Sequence, residues 1–169
     1  MNIGQFALAA AVLLFVSSAS AAAEPPELKG SLNGTFRAQS NGDFAKSNEM
    51  FYDEQTVIAT WTITSTCSNP TDCTGTVTSD QGWSAPIYKM SGLWNIKHPV
   101  PRWEPCPDGS AADGLQHYRF YAVDAHTGQA DNSQSDLFAG LDETLGPSGA
   151  CGVSKPLLIS LPFKLTRIS

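Results

Sequence analysis

Val57-Ile58-Ala59-Thr60-Trp61-Thr62-Ile63-Thr64-Ser65-Thr66 decides the fold class. Val57, Ala59, Trp61, Ile63 and Ser65 alternate with Ile58, Thr60, Thr62, Thr64 and Thr66. A period of two places one set on each face of a strand, and β-branched threonine suits a pleated, wet surface. One buried face and one threonine-coated face is the pattern of an antiparallel sheet solvated on one side. The same period returns at the C-terminus. Leu157, Ile159, Leu161, Phe163 and Leu165 fall on one face, opposite Leu158, Ser160, Pro162, Lys164 and Thr166. Pro162 inside that run suggests an edge position or a bulge, since proline donates nothing to a ladder.

Further strands are predicted at 34–39, 74–79, 85–90, 93–98 and 117–123, with a weaker one at 137–139. Turn clusters separate them, among them Ser40-Asn41-Gly42-Asp43, Ser79-Asp80-Gln81-Gly82, Ser91-Gly92, Pro107-Asp108-Gly109-Ser110 and His126-Thr127-Gly128. Their residues tolerate turn dihedrals. Phe44–Glu54 is the one stretch of helical composition, but its periodicity is poor, and a single turn or irregular cover fits it as well. Seven to nine short strands at regular spacing predict one all-β antiparallel domain, barrel-like, with a β-sandwich as the alternative.

Residues 1–23 read as an export signal. Phe6 to Val16 is apolar and Ser17 to Ala23 are small residues, with cleavage expected after Ala21 or Ala23. The apolar stretch is too short to span a bilayer stably, and no later stretch is apolar enough to span one. Residues 24–169 are then a single exported domain, secreted or held in the cell envelope. Export sets the redox compartment. Four cysteines in an oxidising setting imply two disulfides, with three possible connectivities. Cys67 and Cys73 flank the turn-rich Ser68-Asn69-Pro70-Thr71-Asp72, and Cys106 and Cys151 each sit among proline and glycine. The expected bridges are therefore Cys67–Cys73 and Cys106–Cys151. A Cys-x5-Cys spacing is not one that zinc sites use.

The net charge is −6 and no lysine–arginine cluster interrupts it, which argues against nucleic acid and against an electrostatic grip on anionic lipid. Motifs for catalysis are weak. Gly146-Pro147-Ser148-Gly149-Ala150 is not a Gly-x-Ser-x-Gly elbow, and reads as a turn that delivers Cys151. Asp53 with Glu54, Glu104 with Asp108, and Asp142 with Glu143 are the carboxylate pairs available for acid/base work, all in polar surroundings. Asp131 to Asp142 lacks the sixth-position glycine and terminal glutamate of a calcium loop. No metal and no cofactor is expected. The aromatic residues say more. Trp61 and Phe163 belong to the predicted core. Trp83 and Trp103 sit in loop-like contexts, where a ring can stack on a ligand or lid the core. Tyr118 and Phe120 share one strand face opposite Arg119 and Tyr121, and either face is a candidate cavity lining. Trp83, Trp103, Tyr118 and Tyr121 are thus the candidate ligand-binding residues.

The stretches Thr60–Cys67, Cys73–Trp83, Trp103-Glu104-Pro105-Cys106-Pro107-Asp108-Gly109, Gly146–Gly152 and Leu161-Pro162-Phe163-Lys164-Leu165 resemble a group of small exported actinobacterial proteins, chiefly mycobacterial. That resemblance implies an exported location and four paired cysteines, and brings no catalytic residues with it. In strand number the chain is also similar to lipocalin-like barrels, although its Gly92-Leu93-Trp94 falls mid-chain. The expected function is a secreted, non-catalytic binding or envelope-interaction module. Its partner would be a small apolar or carbohydrate ligand, or a protein surface. A secreted hydrolase using loop carboxylates and a purely structural envelope protein are the alternatives.

Overall fold

Ten strands form one sheet in a computed structural model that describes residues 30–169. The predicted export signal lies outside the described residues. The strands are β1 (Gly34–Ser40), β2 (Lys46–Ser47), β3 (Met50–Phe51), β4 (Val57–Asn69), β5 (Asp72–Ser79), β6 (Ser84–Met90), β7 (Leu93–Pro105), β8 (Ala111–Ala122), β9 (Leu137–Leu145) and β10 (Leu158–Arg167). All pairings are antiparallel, and β4 through β10 pair in chain order. β1 pairs with both β4 and β10, so eight strands close into a barrel. The all-β expectation holds, and of its two forms the barrel is the one found. Closure removes the exposed edges an open sheet would carry.

The alternation is realised from Ala59 to Cys67: Ala59, Trp61, Ile63, Ser65 and Cys67 are buried and the residues between them exposed, whereas Val57, expected on the buried face, is exposed at the strand's start. The interior is packed rather than hollow. Trp61, Trp94, Phe36, Phe120, Ile63, Ile87 and Leu165 are the large side chains filling its middle. An eight-stranded barrel has just enough interior for side chains to fill. Two glycines permit the tight coiling. A Cβ on Gly140 would collide with the Arg119 carbonyl, and one on Gly75 with the Thr64 carbonyl. Glycine at such corners lets neighbouring backbones approach.

Two local expectations are refined. The stretch 44–54 holds no α-helix. Gly42–Phe44 is a single 3-10 turn, and β2 and β3 form a short hairpin beside β10. Asn48 and Glu49 take φ of 47° and 73°, the left-handed pair of a tight hairpin turn, which no helix accommodates. Pro162 is neither on an edge strand nor at a bulge. One side of β10 is paired by β1 from Phe163 onward and by β2 at Ile159 and Ser160. Pro162 sits in the gap between them, and its carbonyl accepts the Asn41 N–H at 2.9 Å.

Both expected disulfides are present, Cys67–Cys73 across the β4–β5 hairpin and Cys106–Cys151 between the β7–β8 tip and the β9–β10 loop. They staple opposite ends of the barrel. Among the described residues no helix is long and apolar enough to cross a membrane.

Candidate functional site at the barrel mouth

The inward parity of each strand brings one set of side chains to the end of the barrel that holds the β5–β6 turn. Trp94, Ile96 and His98 follow one another along the inner face of β7, and Phe120, Tyr118 and Gln116 along β8. At that end a cavity of about 300 Å³ opens between Trp83, His98, Tyr118, Trp61, Gln116 and Phe163, with Ser40, Ser79 and Gln81 also in its lining. Trp83 is half-buried. Its ring stacks on the His98 imidazole with centroids 4.1 Å apart, and Tyr118 lies parallel at 6.2 Å from both. Trp61 meets Trp83 and Tyr118 edge-on at 5.4 and 4.8 Å. These are the offset and T-shaped geometries that ring quadrupoles favour.

His98 is 7% exposed, and its Nδ1 lies 3.1 Å from the Pro99 carbonyl oxygen. That bond assigns the proton to Nδ1 and leaves Nε2 an acceptor that, although Gln116 lies close enough to influence the ring, makes no hydrogen bond of good geometry among the described residues. Burial holds the imidazole below its ordinary range, against smaller opposing effects of the Pro99 carbonyl and Gln116. The ring is therefore neutral at pH 7. A buried polar atom without a partner is uncommon and is a physical reason to look for a ligand.

A carboxylate lies behind the stack. Asp142 is 3% exposed and accepts hydrogen bonds from Ser40 Oγ at 2.6 Å and Gln116 Nε2 at 2.7 Å. Burial pushes its pKa up to about 6, the largest of several effects, while bonds from Ser40, Gln116 and Tyr118 pull the other way. The Tyr118 hydroxyl, desolvated and beside Asp142, is raised well above the usual phenol range and stays protonated. The folded state therefore holds a proton on Asp142 in a window, from about pH 4 to about pH 6, where the unfolded chain has lost it. Stability from this group is full below ~pH 4 and is lost as pH rises through about 6; the gap from an unfolded value of ~3.9 corresponds to ~3 kcal/mol. His98 and His117, both held low by burial, act in the opposite sense below about pH 6.5. Asp142→Asn keeps the shape and removes the charge. Its urea-melt stability should exceed the native chain's by ~2–3 kcal/mol at pH 7.5 and match it near pH 4. A difference that does not vary with pH would contradict the assignment.

The four aromatic candidates are not all gathered here. Trp83 and Tyr118 share the cavity. Trp103, half-buried within the irregularity in β7, packs over Gly114 and Gly146 instead. Tyr121 is 39% exposed on the outer face, across from Ala139. Of the carboxylate pairs, Asp142 and Glu143 part to opposite faces of β9. Asp142 faces inward, whereas Glu143 turns outward to an ion pair with Arg119. Asp53 is exposed, and Asp108 binds the Ser110 hydroxyl and N–H within its own turn. Among the described residues no group of His, Cys, Asp and Glu could hold a metal ion. Asp142 is a candidate carboxylate of the sequence, but its place beside His98 and Gln116 is not; the signal for His98 and Gln116 is strand parity continued outward from Trp94 and Phe120.

No protein-family model matches the sequence, and no curated protein matches it. The fold does match solved structures. One, described as the monomer form of the M. tuberculosis PknI sensor domain, superimposes with a TM-score of 0.55 at 14% identity, over 82% of this chain and 88% of that one. At that identity the likeness establishes a shared barrel architecture.

Proposed function

We propose that this is an exported, non-catalytic binding module that takes a small ring-bearing ligand, a carbohydrate or a flat apolar group, at the Trp83 mouth. The observation that carries this is the Trp83–His98–Tyr118 stack lining an open cavity, with a neutral imidazole acceptor left without a partner. An apolar aromatic wall with a few placed polar groups is the usual make-up of a small-molecule site. The fold shared with a sensor domain and the two disulfides support an extracellular setting for such a role. The parting of Asp142 and Glu143 to opposite faces weighs against a hydrolase that uses that pair. The packed interior weighs against a carrier with a wide lumen.

The test is titration of the mature protein with mono- and oligosaccharides and aromatic alcohols, read by tryptophan fluorescence and calorimetry. A saturable ligand should bind about tenfold or more weakly to Trp83→Ala, which loses the stacking surface. His98→Phe should keep the stack but lose the acceptor, and selectively weaken ligands that carry a hydroxyl. Undiminished binding to Trp83→Ala would overturn the site. Turnover in an esterase or glycosidase screen, lost on replacing Asp53, Glu104, Asp108 or Asp142 with the fold intact, would favour the hydrolase.

A further inference from the structure

The opposite end of the barrel holds a second cavity, of about 440 Å³, and a buried lysine lies in its wall. Lys89 is on the inner face of β6, after Ala85 and Ile87, and is 7% exposed. Inward-facing lysine is rare in a barrel core, because a desolvated ammonium ordinarily needs a counter-charge. Here its Nζ donates to the Pro70 carbonyl at 3.1 Å and lies 5.7 Å from the centre of the Trp94 ring. A carbonyl and a ring face are partial compensation. An ammonium has three donors, and only one is engaged within the described residues. Desolvation lowers the pKa of Lys89, as expected of a cation with no anion beside it among the described residues.

Among the described residues the lining of this cavity contains no carboxylate. Among the described residues the nearby acids are already engaged: Asp72, which shares a neighbouring pocket with Lys89, accepts from Asn69, Asp131 accepts from Ser133 and Gln134, and Asp136 is paired with Arg167. Ser31 and Asn132 line the same space with side chains that enter no hydrogen bond among the described residues, and Leu32, Trp94 and Phe138 supply an apolar wall.

We infer that this end of the barrel is a binding site for a small monoanionic carboxylate with an apolar body, its carboxylate on Lys89 and its body against Trp94 and Phe138. A single cation balances a single negative charge. A phosphate dianion would leave a charge uncompensated inside a protein that already carries −6. The apolar wall gives the acid's body somewhere to go, which a bare inorganic anion would not use.

The probes are benzoate, hexanoate and inorganic phosphate, titrated into the mature protein at constant ionic strength. The readouts are calorimetry and the indole N–H resonances of the four tryptophans. Benzoate or hexanoate should saturate one site and move the Trp94 resonance. Lys89→Met, which keeps the aliphatic stem, should weaken binding about tenfold or more, and Lys89→Arg should largely restore it. Lys164→Met, which removes an exposed lysine on the outer face, controls for net charge and should leave affinity unchanged. The assignment is overturned if neither acid saturates, or if Lys89→Met binds as tightly as the native chain. Shifts confined to Trp83 would also overturn it, by placing the acid at the other mouth. Phosphate binding as tightly as the two acids would overturn the carboxylate class.

Discussion

Replacing Trp61 with alanine should cost ~3–5 kcal/mol of stability, the range for emptying a fully buried aromatic position. Trp61 is 1% exposed and touches three other rings: Trp83 and Tyr118 edge-on, and Phe163 stacked at 5.2 Å. The barrel cannot collapse into the vacancy, because its strands are fixed by pairing on both sides. Losing the ring also removes the floor under Trp83, so near-UV circular dichroism should fall further than the melt alone predicts. Trp61→Phe isolates the packing. The indole N–H has no hydrogen-bond partner among the described residues, so phenylalanine forfeits area but no bond, and the expected cost is ~1–2 kcal/mol. Urea melts of both variants decide this. A loss below about 1 kcal/mol for Trp61→Ala would mean that the interior relaxes around the gap.

The contrast between Trp61 and Asp142 explains what was legible in the sequence. Trp61 lies in a run whose two faces differ sharply in chemistry, so period and burial coincide. In β9 they do not. Phe138, Gly140, Asp142 and Thr144 face inward, while Leu141 and Leu145 face solvent. Read by hydrophobicity alone, that strand is inside out, so the sequence predicts only its first residues and reads Asp142 as a solvated carboxylate. The inward Gly140 answers to the close approach of β8, and the inward Asp142 to donors on Gln116 of the neighbouring β8 and on Ser40 of β1, 102 residues away in sequence. Partners of that kind have no local signature. Closure of the barrel by β1 against β10 is likewise invisible to a neighbour-by-neighbour reading, whereas the consecutive pairing of β4 through β10 follows from the turns between them. His98 and Lys89 were within reach. Each continues a period-two series begun by certain core residues, Trp94-x-Ile96-x-His98 and Ala85-x-Ile87-x-Lys89.

Removing the Cys106–Cys151 bridge, by replacing both cysteines with serine, should cost about 4 kcal/mol. The same change at Cys67 and Cys73 should cost about 2.5 kcal/mol. The two bridges close loops with sequence separations of 45 and 6 residues, and the denatured chain regains more freedom from the longer one. The structure adds a second reason for the order. Cys67 and Cys73 are directly opposed in the β4–β5 ladder, so hydrogen bonds on either side hold them together without the bridge. Cys106 and Cys151 have no such support. One ends a hairpin that projects past the Val100–Glu104 irregularity, and the other sits in a loop at φ 52°. Their bridge ties that hairpin to the loop before β10, and Trp103 on the hairpin packs over Gly114 and Gly146. Its loss should therefore loosen the mouth locally before the barrel opens. Amide exchange should quicken first at 101–112 and 146–153, while β4 and β5 keep their protection. Equal losses from the two bridges in urea, or exchange that quickens uniformly, would show that the hairpin is held by its packing and not by the disulfide.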